Sequence, residues 1–161
     1  MNPKIIELSE TPVVGLKKRM SLAEDATFLL WNSFMPRRRE ITQNVNSSLI
    51  SMTVYDKDFN INQFTPHTQF DKWACVEIKS TENLPNDFEK YTIPACTYAV
   101  FVFKGLPQMA PQFFQKIFME WLPSSGFKLA EGPHFAVMGE KYKNNDPESE
   151  EEIFIPITAG F

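Results

Sequence analysis

Apolar positions along this chain follow two periods. From Leu22 the residues Ala26, Leu29, Leu30 and Phe34 fall at helical intervals. Ser21, with Glu24 at capping-box spacing, predicts where that helix begins, and Pro36 ends or kinks it. A second stripe, Phe113, Phe114, Ile117, Phe118 and Trp121, predicts a helix over 110–121 that stops at Pro123 and turns at Gly126. Extended segments are predicted at 4–8, 12–19, 48–55, 73–78, 98–103, 135–142 and 153–157. In 48–55, Leu49, Ser51, Thr53 and Tyr55 alternate against Ile50, Met52 and Val54. Gly15 marks a bulge or a close approach of another backbone. Residues 82–94, with Pro85 and Pro94, read as a linker.

The elements recur in one order, strand, helix, strand, strand, on either side of that linker. Overlaying Pro36 on Pro123 gives an offset of 87 (123 minus 36), which sets Trp31 on Phe118, Phe34 on Trp121 and Tyr55 on Tyr142. This predicts one α+β domain over 1–161 built from a duplicated β-α-β-β unit, repeat one about 4–80 and repeat two about 95–157. The antiparallel sheet would carry two helices on one face, with a cleft between pseudo-two-fold halves. The helix-free face, with both sheet halves curling, would become that cleft, and its floor would be strand residues of one parity. Alternation alone does not say which parity faces the helices.

Composition narrows the function classes. A hydrophobic fraction of 43% with 15 Phe supports a packed core. A net charge of −4 gives direct nucleic-acid binding little electrostatic support. The run Arg37-Arg38-Arg39 is read as a solvated helix end, where cations are favoured. No apolar run is long enough to span a membrane, and the first residues lack a signal-peptide layout. Cys75 and Cys96 have no metal-ligand spacing and read as buried reduced thiols of a cytoplasmic protein. No nucleophile–His–acid spacing and no phosphate loop is present, and no cofactor is expected.

One ordered series of residues resembles a known family. It runs through Phe70 to Ile78, Leu84-Pro85, Ile93-Pro94-Ala95, Tyr98 to Phe101, Gly105, Trp121 to Phe127, Gly132-Pro133-His134-Phe135 and Ile155-Pro156-Ile157. The series resembles the gyrase-inhibitor-like (GyrI-like) small-molecule-binding domain, which is also the effector-binding half of some bacterial transcription activators. The resemblance implies a cleft between duplicated halves that binds a lipophilic, often cationic or aromatic, small molecule. Certain stand-alone members of the family are hydrolases of reactive cyclopropane-bearing compounds. The family's acidic residue after Pro-x-Phe, and the Tyr two residues on, are here Ala136 and Met138. Ala can neither neutralise a cation nor act as a base.

The expected ligand site therefore comprises Trp31, Met52, Trp73, Phe101, Trp121, Ala136 and Met138, with Glu77 as a possible acidic group. The leading expectation is a stand-alone binder of an apolar or aromatic small molecule. One alternative is a hydrolase of reactive lipophilic compounds using Glu77 or Glu120. Another is a modulator of a protein partner such as DNA gyrase. For each tryptophan, core packing with a satisfied indole N–H competes with a place in the cleft. His67 and His134 are not expected to form a metal site or proton relay. No helix-turn-helix pattern precedes the first strand, so a complete DNA-binding regulator of the usual layout is not expected.

Overall fold

The computed structural model describes residues 1–160. Nine strands form one antiparallel sheet. They are β1 (Lys4–Leu8), β2 (Thr11–Met20), β3 (Leu49–Tyr55), β4 (Phe70–Glu77), β5 (Glu89–Ile93), β6 (Cys96–Lys104), β7 (Phe127–Leu129), β8 (His134–Met138) and β9 (Glu150–Ala159). Helix α1 (Thr27–Phe34) follows β2, and α2 (Ala110–Lys116) follows β6. A wider π-helical turn, Ile117–Trp121, carries α2 into the short α3 (Leu122–Ser124).

The strand order is β1-β6-β9-β8-β3-β4-β2-β5, with β7 added against β9. Exchanging β1 with β5, β2 with β6, β3 with β8 and β4 with β9 returns the same order reversed. The pair β3–β8 lies at its centre, where Ser51 faces Ala136. Three of the four matched strand pairs start 85 apart (89 minus 4, 96 minus 11, 134 minus 49) and β4 and β9 start 80 apart (150 minus 70), whereas the helix-ending prolines are offset by 87.

Register fixes the parity that alternation left open. One row runs Leu16–Ala74–Ser51–Ala136–Ile153–Phe101 across β2, β4, β3, β8, β9 and β6. Ala74 packs with Leu30 and Phe34 of α1. Phe101 and Ile153 pack with Ile117 and Leu122. Both helices therefore cover one face, as the pattern predicts.

The other face is closed without helices. Ile6 and Leu8 of β1 join Tyr91 and Ile93 of β5 in one cluster with Met52, Trp73, Tyr98 and Phe135. The two ends of the sheet thus share a core, which requires the sheet to curl round its helix-free face. The buried Tyr98 hydroxyl donates to the Pro133 carbonyl at 3.0 Å, so burial leaves no polar group orphaned there. Gly15 marks the closest backbone approach: a Cβ there would lie 2.0 Å from the Ala74 carbonyl oxygen.

Local differences from the pattern have simple causes. Ser21 accepts the Glu24 N–H at 3.1 Å, but this caps a turn; α1 begins at Thr27, whose N–H bonds Asp25 at 2.9 Å. Leu22 stays exposed. The expected linker holds β5, which pairs β2, and β8 ends at Met138 rather than 142. The three arginines are largely engaged. Arg37 pairs with Asp87 and Glu40 and lies over Phe88, and Arg38 donates to the Ser47 carbonyl. Cys75 is buried, where desolvation pushes its thiol pKa up, while Cys96 is only half-buried; both are unpaired. No helix among the described residues is long and apolar enough to cross a membrane.

Candidate ligand-binding trench

Between α1 and α2 the sheet centre forms the floor of a trench. Its rows are Leu49–Met138, Ser51–Ala136 and Thr53–His134, paired across β3 and β8. All six residues are half-buried. On the reverse of the same strands, Met52 is 0%, Ile50 5% and Phe135 6% exposed. Val54 and Val137 on that reverse face are half-buried as well, so the central strands are most fully packed around Met52, while the helix side is half-buried along the whole β3–β8 pair.

Aromatic side chains border this floor. Phe118, on the wide turn after α2, stacks on the His134 ring with centroids 6.0 Å apart. Tyr55 meets the same ring edge-on at 5.1 Å and stacks on Phe59 at 3.9 Å. Trp31 is half-buried on α1, in the cluster that also holds Leu49. It also meets Phe34 edge-on at 5.8 Å. Single π-type turns inside helices often mark functional sites, and this one sets the position of Phe118.

Polar groups sit at opposite ends. Lys72 of β4 extends the Thr53–His134 row, and its ammonium donates to the Thr53 hydroxyl at 3.2 Å. Continuing the β8–β9 register by one position sets Glu151 beside Met138. Burial lowers the pKa of Lys72 and raises that of Glu151; each charge partly offsets the other's shift. Burial, reinforced by Lys72, lowers His134 to about 4, so its imidazole is neutral near pH 7. Burial likewise raises Tyr55 to about 12. Glu151 also borders a recess of about 120 Å³ with Phe103, Ala110 and Tyr142. A more open recess of about 230 Å³, lined by Asp56, Asp58, Phe59 and Asn60, lies in the loop after β3, and its Phe59 ring is 6.5 Å from that of His134.

The expected site residues divide between two faces. Ala136 and Met138 are on the trench floor, and Trp31 is at its α1 side. Met52 and Trp73 are not in the cleft; they are buried on the reverse face, because β3 and β4 turn that parity into the curled core. Phe101 is buried beneath α2, and Trp121 packs edge-on against it at 5.1 Å and near Phe127. Both serve the core of the second half. Glu77 shares the reverse-face parity of Cys75 and Trp73, and Glu120 is exposed on the helical segment. Neither takes the place of a carboxylate at position 136. The residues that pattern-reading passed over are Lys72, Thr53, His134, Phe118 and Glu151. The one available signal was Lys72 itself, a cation directly before the apolar run Trp73–Val76.

The model of the GyrI-like small molecule binding domain matches residues 1–158. The chain belongs to this GyrI-like family. The transcriptional regulator BrlR of Pseudomonas aeruginosa is 27% identical over 158 residues, covering 98% of this chain and 56% of that protein. The chain therefore spans a little over half the length of that relative. Among solved structures, SAV2435 bound to tetraphenylphosphonium has a TM-score of 0.68 at 13% identity, over 98% of this chain and 94% of that one. The C-terminal domain of EcmrR has a TM-score of 0.69 at 16% identity, over 98% of both chains. At these identities the structures establish a shared fold. In this chain the sheet centre is floored by Ser51 and Ala136.

Proposed function

We propose that this chain is itself a binding unit, holding an apolar or aromatic small molecule between α1 and α2. The observation that carries this reading is the half-buried floor at the centre of a nine-stranded sheet. Burial is more complete on the reverse face, where Ile50, Met52 and Phe135 are buried and Val54 and Val137 half-buried, than on the helix side, where none of the six floor residues is buried. Ligand sites are typically concave, largely apolar, and furnished with a few convergent polar groups. Leu49, Met138 and Ala136 with Trp31 and Phe118 supply the first character; Ser51, Thr53, Lys72 and His134 supply the second. The ligand in the SAV2435 structure is tetraphenylphosphonium, a bulky aromatic cation; its aromatic body supports the same apolar class here, while its charge has no carboxylate at position 136 to meet it. The kinship with a regulator supports a sensing role. We also read the reversible strand order as the product of internal duplication, which puts the site on the pseudo-two-fold.

Native mass spectrometry of freshly purified protein tests for a retained ligand. Titration with a fluorescent aromatic dye, on wild type and on Ala136→Trp, locates the site. The indole should plug the floor and weaken binding at least about tenfold, which is roughly 1.4 kcal/mol, with the unfolding transition unchanged. Dye binding indifferent to the plug would overturn the reading.

A further inference from the structure

Lys72 is an unusual residue to find on this floor. It stands in β4, flanked by β2 and β3, and is half-buried. Among the described residues its only side-chain hydrogen bond is to the neutral Thr53 hydroxyl, although an ammonium carries three N–H donors. It belongs to none of the six ion pairs among the described residues. Asp25 and Glu151 act on it through space, without contact. Withdrawing an unpaired ammonium from water is costly, so the folded protein carries this charge with little direct compensation.

We propose that Lys72 anchors an anionic group, a carboxylate or sulfonate carried on an aromatic body, at the end of the trench formed by Thr53, His134 and Tyr55. The proposal rests on the trench being the ligand site. Its geometry suits such a ligand. The Thr53 hydroxyl, already beside the ammonium, can turn its proton toward an incoming oxygen. The neutral His134 imidazole adds a further N–H, and its ring already stacks with Phe118. Phe118 and Tyr55 flank the place where the aromatic body would lie. The centre of the floor, Ser51 and Ala136, carries no carboxylate to repel the anion. A ligand oxygen within hydrogen-bond reach would turn the charge from a cost of folding into a source of affinity.

8-Anilinonaphthalene-1-sulfonate and its neutral parent N-phenyl-1-naphthylamine share one aromatic body and isolate the oxyanion; the tetraphenyl pair, borate and phosphonium, isolates the sign of charge on a ligand with no oxygen. Isothermal titration should show Lys72→Met, which keeps much of the apolar stem, weakening the sulfonate about tenfold or more and the neutral dye little. Lys72→Arg should keep the sulfonate affinity, and Lys141→Met, at an exposed site, should leave it unchanged. Wild type should bind the borate more tightly than the phosphonium, a preference that Lys72→Met reduces. Should both dyes bind and be weakened by Ala136→Trp, with the sulfonate indifferent to Lys72→Met, the Lys72 assignment is overturned while the trench stands. Binding of neither dye, or binding unaffected by Ala136→Trp, overturns the trench and the anchor together. Circular dichroism and thermal melting of each variant confirm that the comparison is made on folded protein.

Discussion

Acidification should weaken this fold through one imidazole. His134 lies on the trench floor beneath Phe118 and beside Tyr55, with the Lys72 charge in the same row. Burial first, and Lys72 second, lower its pKa from 6.5 to about 4. As pH falls below 6.5 the unfolded chain takes up a proton at this residue, while the folded chain does so only near 4. The contribution to stability is fully present above 6.5 and is lost as pH falls toward 4. A tenfold change in proton affinity is worth about 1.4 kcal/mol, which sets an upper bound of about 3 kcal/mol. Partial exposure of the ring reduces this to about 1–2 kcal/mol. Urea unfolding of wild type and His134→Phe, at pH 7 and 4.5 and constant ionic strength, measures it. Phe cannot titrate and keeps a ring against Phe118. Wild type should lose about 1–2 kcal/mol more than the variant over that range. Glu151, raised by burial, shifts stability the opposite way on acidification, but it is common to both proteins and drops out of the difference. Equal losses, or an NMR titration of the His134 ring with a midpoint near 6.5, would refute the reasoning.

Other perturbations follow from the same geometry. Gly15→Ala should destabilise by more than about 3 kcal/mol in chemical denaturation, because its Cβ would meet the Ala74 carbonyl at 2.0 Å and backbone has no room to yield. Phe118→Ala should raise the His134 pKa toward its ordinary value by letting water reach the ring, and weaken aromatic-dye binding severalfold; NMR and fluorescence read the two effects separately. Arg37→Ala should lower the melting temperature slightly at low salt and less at high salt, since its partners Asp87 and Glu40 are on the surface. Ala136→Glu should shift ligand preference toward cations by about 1–2 kcal/mol, measured with the tetraphenyl pair; an unchanged preference would mean that position 136 does not face the ligand.

How much of this was legible in the sequence depends on which physical signal each feature leaves. The helical stripes ending at Phe34 and Trp121 and the alternation in β3 are strong local signals, and they predict two helices on one face of an antiparallel sheet. β5 leaves almost none. Glu89, Lys90 and Thr92 are exposed, and only Ile93 and the half-buried Tyr91 turn inward. An edge strand of this composition between two prolines looks like a loop. The site was half-read for another reason. In β3 one parity is wholly apolar and the other sets Leu49 and Tyr55 among Ser51 and Thr53, a contrast that does not say which parity meets the helices. The helix-free face was expected to be the open one. Instead the sheet curls and brings Ile6 and Leu8 into one core with Tyr91 and Ile93, and that closure takes Met52 and Trp73 out of reach. Register between distant strands settled the question, and no single strand carries it.

The same register explains why the floor is polar at its ends rather than at its centre. Ser51 and Ala136 lie near the relation that exchanges the halves, where one small residue per strand leaves room for a ligand. Lys72 pairs with Thr53 on β4, and Glu151 falls beside Met138 on β9. With the strand offset of 85, Thr53 corresponds to Met138, so Lys72 and Glu151 occupy corresponding places and carry opposite charges. A ligand lying along this floor would meet a cation at one end and a partly protonatable carboxylate at the other. Its two orientations would therefore differ in energy although the backbone around it is nearly symmetric. The reversible strand order makes the backbone of the floor nearly symmetric, and the side chains at its two ends would decide which way round a ligand lies.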